Sequence, residues 1–248
     1  MVTLDSPLPT KAVMPSESVR TITIAPDRLE PWLTNFGTRH GPLTATAAAG
    51  RVEVVAEDGA TAAIAVPFPP LAPSALAPRA LEPAGRGAPV EGFAATDDPV
   101  AALVDHLSRS RRVGAVLARK GGFAVGVFDG RRLLTSKVGS AYVQGKTKAG
   151  GWSQQRYARR RDNQSRKAYE EAADEVVRVL LPHLPELEAV ATGGDRSALA
   201  AVFADPRLTA VRPLLQTRVH PVPDPRLRVL QAFPEQFLAV EIDLNALA

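Results

Sequence analysis

The chain has 248 residues, 45% of them hydrophobic, and a formal net charge of +4 at neutral pH. This length and composition suit one large domain or two small ones, with a sizeable buried core. The absence of cysteine excludes disulfide bonds, thiolate zinc sites and a cysteine nucleophile.

The first residues lack the basic segment and apolar core of a signal peptide. No uninterrupted apolar run approaches the roughly 18 residues that a membrane-spanning helix requires. We therefore expect a cytoplasmic protein with no membrane partner. The four histidines are scattered without metal-ligand spacing, and we expect neither a metal nor another cofactor.

The first part of the chain predicts a flexible leader over residues 1–17 and a small α+β unit over residues 18–66. Trp32 and Phe36 occupy the apolar face of a predicted helix, where they fit a core position. The predicted elements of this unit are a strand at Thr21–Ile24, a helix from Pro26 to about Gly41, and a hairpin of Arg51–Ala56 and Thr61–Val66.

Residues 67–97 are rich in proline and alanine. Such a composition is typical of a semi-rigid linker, and we place the boundary between two units here. Part of the stretch could instead pack as an extended arm. The second unit is then predicted over residues 98–248.

The second unit is predicted to be an α/β (α+β) domain in which strands and helices alternate. The order βββαβαβ predicts a mixed sheet with helices on its faces, similar to an RNase H-like arrangement. Asp195 is expected to cap the helix that follows it, and His106 to face solvent. The predicted elements are a helix at Asp98–Ser110, strands at Val113–Ala118, Phe123–Phe128 and Arg131–Lys137, a long helix from near Ser153 to about Leu181, a strand at Leu187–Ala191, helices at Arg196–Ala204 and Asp224–Ala232, and a last strand at Phe237–Ile242.

The positive charge of the chain is concentrated between Lys137 and Lys167. This segment holds nine of the 30 bases and one of the 26 acids, so it carries +8 while the rest of the chain carries −4. A strongly positive element on a mildly acidic body indicates a polyanionic partner.

The centre of this basic segment is a glycine-rich loop that leads into the long helix. Its glycines allow close backbone approach to a ligand, and Tyr142 and Trp152 offer flat faces for a base or a ribose. Bases at the loop and on the first turns of the helix can contact phosphates. The predicted RNA-binding residues are Lys146, Lys148, Trp152, Gln155, Arg156, Arg159, Arg160, Arg161 and Arg166.

The arginines occupy an unfavourable place on the helix. Arg156, Arg159 and Arg160 share one helical face, where like charges repel by roughly 0.2–0.5 kcal/mol per pair. They also lie near a helix N-terminus, where the macrodipole disfavours cations. A solvated basic face is the simpler interpretation of a charge run, but bound RNA would relieve this arrangement.

The loop contains no Ser-His-Asp arrangement and no carboxylate. A glutamine can still position a water molecule and donate to a developing oxyanion. That chemistry suits an activated ester, such as the aminoacyl bond of peptidyl-tRNA, better than a phosphodiester.

The string from Gly145 to Gln164, with Gly150, Gly151, Trp152 and Ser153 preceding Gln154, resembles the catalytic segment of the actinobacterial Vms-like release factors. These proteins are relatives of the eukaryotic ribosome-quality-control hydrolases and, more distantly, of the eukaryotic and archaeal class-one peptide release factors. The strong match covers about residues 138–168. The order of elements from roughly residue 99 onward also fits the RNase H-like catalytic domain of that family.

The resemblance implies a peptidyl-tRNA hydrolase that cleaves the ester between nascent peptide and tRNA on a stalled or split ribosome. Its partners would be peptidyl-tRNA and the large ribosomal subunit; no oligomeric state is predicted. The release-factor motif is Gly-Gly-Gln, whereas here two residues separate Gly151 from Gln154, so either Gln154 or Gln155 is the catalytic amide, and Gln154 is favoured. The catalytic residues are then expected to be Gln154, Gly150, Gly151 and Ser153.

Two rival interpretations stand beside this one. A nuclease of the RNase H type needs several carboxylates on a metal, and the strand predicted at Val113–Ala118 has none. A non-catalytic tRNA- or ribosome-binding module is the stronger alternative. It would use the same basic loop but would not depend on Gln154.

Overall fold

The computed structural model describes residues 20–71, 79–81, 98–140 and 152–248, with the backbone alone at 79–81 and 152–165. The strands are β1 (Arg20–Ile24), β2 (Leu43–Ala48), β3 (Arg51–Ala56), β4 (Thr61–Ala65), β5 (Arg79–Leu81), β6 (Arg112–Arg119), β7 (Gly122–Asp129), β8 (Arg132–Ser140), β9 (Ala189–Gly194), β10 (Leu215–His220) and β11 (Val240–Leu244). The helices are α1 (Leu29–His40), α2 (Pro99–Ser108), α3 (Trp152–Leu180), α4 (Arg196–Phe203), α5 (Leu227–Ala232) and α6 (Pro234–Phe237). Within these ranges, no helix combines the length and the apolar character needed to cross a bilayer.

Sheet A is antiparallel and has the strand order β1-β11-β4-β3-β2-β5. Its strands alternate buried and exposed positions, as in β3, because one face packs against helices and the other meets solvent. The helices α1 and α2 cover the buried face, α2 through Leu103. Phe36 is buried in this core and stacks on Trp32 with ring centroids 5.1 Å apart, so the predicted core face of α1 is confirmed.

Sheet B has the strand order β10-β9-β6-β7-β8. The strands β6, β7 and β8 form an antiparallel meander, while β9 pairs parallel to β6 and β10 pairs parallel to β9. This order and these directions are those of an RNase H-like sheet, and the predicted fold class is confirmed. The central strands β6 and β7 are buried on both faces because α3 and α4 cover one side and α5 and α6 the other.

The last strand differs from its prediction. The sequence predicts that Phe237–Ile242 completes the second sheet, but β11 lies between β1 and β4 of sheet A. Its place as the final strand of the βββαβαβ order is taken by β10, which the sequence does not predict. The two sheets are therefore not built from separate stretches of the chain.

The described parts of the proline-rich stretch are packed against the protein. Leu71 is 2% exposed in the core of sheet A, and Phe68 packs against the aromatic core around Phe237. The strand β5 pairs with β2. Residues 68 and 71 are thus held by packing, and residues 79–81 by strand pairing.

Candidate nucleic-acid interface

Three strands end along one edge of sheet B, the edge that runs across the strands. Gly122 pairs with Ser140 and with Arg119, and Ala118 pairs with Gly194, so β6, β8 and β9 all end at this edge. The chain leaves β8 after Ser140 and enters α3 at Trp152. The predicted loop residues Lys146, Lys148, Gly150 and Gly151, like Tyr142, lie outside the described residues.

The end of β8 is fixed by a glycine. A Cβ atom at Gly139 would lie 2.3 Å from the ring of Phe123, which is closer than any side chain can approach. Glycine is therefore required where the edge strand crosses this buried ring.

The long helix α3 begins one residue before its predicted start and has 29 residues. Ser153, Gln154 and Gln155 therefore lie in its first turn, which contains no acid. Four of the five arginines predicted to bind RNA lie on the next two turns of backbone: Arg156, Arg159, Arg160 and Arg161. Since the amino end of a helix already carries positive potential, this part of α3 is suited to an anionic ligand.

The packed part of α3 begins at Ala168, the first buried position among its described side chains. Ala172 and Ala173 follow in the core of sheet B. At 3.6 residues per turn, a residue 18 positions away lies on the same line along the helix. Gln154 and Gln155 thus lie on the lines of Ala172 and Ala173.

The arginine positions fall on other lines of the same helix. Arg156 and Arg160 lie five turns before Asp174 and Arg178, both of which are exposed. Arg166 is itself 74% exposed, with Glu170 as an ion-pair partner at 3.8 Å. The helix therefore separates the glutamine positions, in line with its packed face, from the positions of Arg156 and Arg160 on its solvent face. Arg161 lies on the line of Val179, which is 8% exposed.

The solvent face of α3 changes sign along its length. Arg166 and Lys167 are the last members of the basic segment, and Glu170, Glu171 and Asp174 follow on the exposed side. A phosphate backbone is attracted to the first half of the helix and repelled by the second. The basic surface thus ends at about Arg166.

A cleft of about 690 Å³ lies where this surface ends. Its walls come from the β6–β7 turn, from α3 and from the start of α4, and they include Lys120, Arg166, Tyr169 and Ser197. Burial raises the pKa of the Tyr169 phenol, and the charge of Asp195 raises it further. The cleft opens at the edge of sheet B where β6 and β9 end.

A family model described as Actinobacteria/chloroflexi VLRF1 release factor matches residues 111–243, more than half of the chain. The chain belongs to this family. The matched part includes all of sheet B, the basic loop and α3. The predicted family resemblance is thereby confirmed, and membership of a release-factor family gives the protein a function in translation that involves the ribosome.

Two solved structures are similar in part. The crystal structure of an archaeal translation termination factor, aRF1, shares 15% identity with a TM-score of 0.41, over 90% of this chain and 68% of that one. A structure described as an archaeal protein shares 16% identity with a TM-score of 0.33, over 71% of this chain and 47% of that one. Neither likeness is close enough to carry an argument about function. No curated protein matches the chain.

In this release-factor chain, Asp195 occupies the predicted N-cap position of α4, but its side chain does not bond to the helix amides. It accepts instead from the Lys120 amide at 3.2 Å and faces the Arg119 guanidinium at 3.7 Å. The predicted side-chain cap is wrong, because the neighbouring β6–β7 turn competes for the carboxylate. Asp195 therefore joins that turn to the start of α4.

Asp129 and Asp195, whose carboxylates could serve a metal-dependent nuclease, lie far apart. Asp129 pairs with Arg112 at one end of β6, whereas Asp195 follows Gly194, which pairs with Ala118 at the other end. Asp129 instead accepts from the Ser110 hydroxyl at 2.7 Å. In the described ranges, no group of three or more histidines and acids is placed to hold a metal ion.

Two histidines are buried in a way that the sequence does not predict. His106 is expected to face solvent, but it is 6% exposed and its Nε2 lies 2.8 Å from the Pro67 carbonyl. Burial lowers its pKa. His220 is 3% exposed and makes an edge contact with the Phe233 ring. His106 lies beside Pro67, 39 residues earlier in the chain, and His220 lies beside Phe233 of the following helical segment. Local periodicity does not reveal such contacts.

Proposed function

We propose that this release-factor family member is a peptidyl-tRNA hydrolase that cleaves the ester between nascent peptide and tRNA on stalled or split ribosomes. One observation carries the proposal. The helix α3 begins at Trp152, so Gln154 lies in its first turn, three residues after the Gly150-Gly151 pair. This is a glycine-to-glutamine junction at the amino end of a basic helix. Family membership supports the same substrate class.

The chemistry follows from the amide at this junction. A glutamine side chain can accept from an attacking water and donate to the oxygen on which negative charge develops. The positive end of the helix dipole favours that charge as well. An aminoacyl ester is already activated, so orienting the water supplies a large part of the required rate enhancement.

The arginines supply the second half of the proposal. Arginines can bind the phosphates of RNA without a fixed pairing of each arginine with one phosphate. Such binding requires only positive charge along the path of the strand. Arg156, Arg159 and Arg160 provide it next to the proposed catalytic amide. They would hold the end of the tRNA while Gln154 acts on the ester.

The test is the Gln154→Ala variant, incubated with stalled large subunits that carry peptidyl-tRNA. We expect peptide release to fall about 10²- to 10³-fold, as for loss of one oxyanion donor. Binding to the subunit should persist because the arginines are unchanged. The measurement is the rate of free peptide formation, with binding followed by sedimentation.

Gln155→Ala is the matched control, since it removes the same amide one position away. Because Gln155 is predicted to contact RNA, this variant should bind the subunit more weakly, but once bound it should release peptide at near the wild-type rate. A collapse in this variant instead would assign catalysis to Gln155. Undiminished release in both variants would exclude a glutamine mechanism, and binding without any release by the wild type would favour the non-catalytic tRNA- or ribosome-binding module.

A further inference from the structure

The cleft beside α3 contains polar groups that the protein itself does not use. Among the described residues, the Lys120 ammonium has no ion pair, and the hydroxyls of Tyr169 and Ser197 make no hydrogen bond. All three line the cleft. Uncommitted polar groups around a cavity of this size are typical of a binding site.

The acids of the cleft, by contrast, already have partners. Asp205 is held by the Arg207 guanidinium and backbone amide, which lower its pKa to about 2. Asp195 faces Arg119, and Glu170 faces Arg166. Among the described side chains, the charge of the cleft is thus largely balanced, with one free cation at Lys120.

These groups select a ligand with mixed polarity. A free phosphate group offers only acceptors and carries more negative charge than a phosphodiester, so the three carboxylates of the cleft oppose it more strongly. A nucleotide offers a phosphate for Lys120 together with ribose hydroxyls and base edges, which both donate and accept. The two hydroxyls of the cleft can pair with either kind of group.

The position of the cleft indicates which nucleotide could reach it. Arg166, in its wall, follows Gln154 by twelve residues of one continuous helix, or about 18 Å. A nucleic-acid strand spans this length in about five stacked nucleotides, or fewer when extended. Arg159 lies seven residues before Arg166, about two turns, on nearly the same line of the helix.

We propose that this cleft binds one unpaired nucleotide of the 3′-terminal strand of tRNA, through Lys120, Tyr169 and Ser197, while the strand follows α3 toward its amino end. The site rests on the proposed function, since it assumes that the ester lies near Gln154. It adds a second point of attachment remote from the reaction. An unpaired base is required because a duplex end could not enter a cleft of about 690 Å³.

The experiment measures binding of deacylated tRNA and of the same tRNA without its four unpaired 3′-terminal nucleotides. The variant combines Lys120→Ala, Tyr169→Phe and Ser197→Ala, which remove only uncommitted groups. The wild type should bind the intact tRNA about tenfold more tightly than the shortened one. The variant should bind both within about twofold. Arg132→Ala, at the opposite end of sheet B, removes one positive charge and should retain the wild-type preference.

The two proposals fail in different ways. Retention of the wild-type preference by a folded triple variant would overturn the nucleotide site, even where peptide release is intact. A dependence on the three cleft residues without any release by the wild type would overturn the hydrolase and keep the site. Thermal melting of the single Ser197→Ala and Lys120→Ala variants, both at the surface, gives a folding control, and each alone should lower the preference.

Discussion

His220 is a titratable ring in an apolar setting. It lies at the end of β10, 3% exposed, against the edge of Phe233. Burial, and after it the charge of Arg218, lowers its pKa to about 4. The ring is therefore neutral in the folded protein at physiological pH, and it belongs to the packing between sheet B and α5.

This burial makes the stability of the protein depend on pH. The pKa of His220 is about 4 when folded and about 6.5 when unfolded, so the unfolded chain binds the proton more tightly. Stability is full above pH 6.5 and falls as the pH decreases toward 4. We expect a loss of about 2 kcal/mol from this residue between pH 7.5 and pH 5.

The check is urea unfolding of the wild type and of His220→Leu at both pH values. The variant should lose less stability on acidification, although His106 still contributes because its pKa is also lowered. Equal losses in the two proteins would show that the ring is not buried as described.

Sequence patterns predict the surroundings of these residues poorly. A helical wheel of α2 alone places His106 near the polar side, which would be expected to face solvent. The carbonyl of Pro67 covers it, 39 residues earlier in the chain. Such contacts depend on tertiary packing, and neither composition nor spacing encodes them locally.

At the scale of elements, α3 divides its charges between two halves. The first half is basic and the second acidic on the solvent face. If the first half binds RNA, replacing Arg159 and Arg160 by alanine should weaken tRNA binding and flatten its dependence on salt. The slope of log K against log salt should change by about 0.7 to 0.9 for each phosphate that the variant no longer neutralises.

Arg178→Ala is the matched control for this prediction. It removes an arginine from the line of Arg160, five turns further along, where it pairs with Glu175. Its affinity and salt slope should equal those of the wild type. An equal effect of Arg178→Ala would mean that net charge, and not the basic half of α3, governs binding.

The elements that the sequence predicts are those with strong local patterns. The start of α3, the β6–β7–β8 meander and the hairpin of β3 and β4 all follow from periodicity and turn residues. The strands β2, β5 and β10 are missed. They are short and rich in alanine, threonine or charge, so their pairing partners stabilise them more than their own propensities do.

At the scale of the whole molecule, the two sheets share the chain. The residues of β11 that face the core of sheet A are almost fully buried: Val240 and Ile242 at 0% and Leu244 at 3%. An ion pair of Arg218 with Glu241 also joins β10 to β11. The catalytic part predicted over residues 98–248 thus includes a strand whose partners lie outside it.

A fragment of residues 98–248 should therefore self-associate in solution. It would expose the apolar side of β11 without β1 and β4, and an unpaired apolar strand promotes association. A fragment of residues 98–238 lacks β11 and should be more soluble. In both fragments, α2 loses its packing against sheet A. Size-exclusion chromatography compares them; a monomeric, cooperatively unfolding 98–248 fragment would contradict this expectation.

The place of β11 also governs when sheet A can form during synthesis. Thr21 donates to Asp243, a contact across 222 residues, and β1 has no other partner strand in the described sheet. Because the chain leaves the ribosome from its amino end, it can complete sheet B before β1 pairs with β11. The strand β1 is thus paired only after the 222 residues that separate Thr21 from Asp243 have been made.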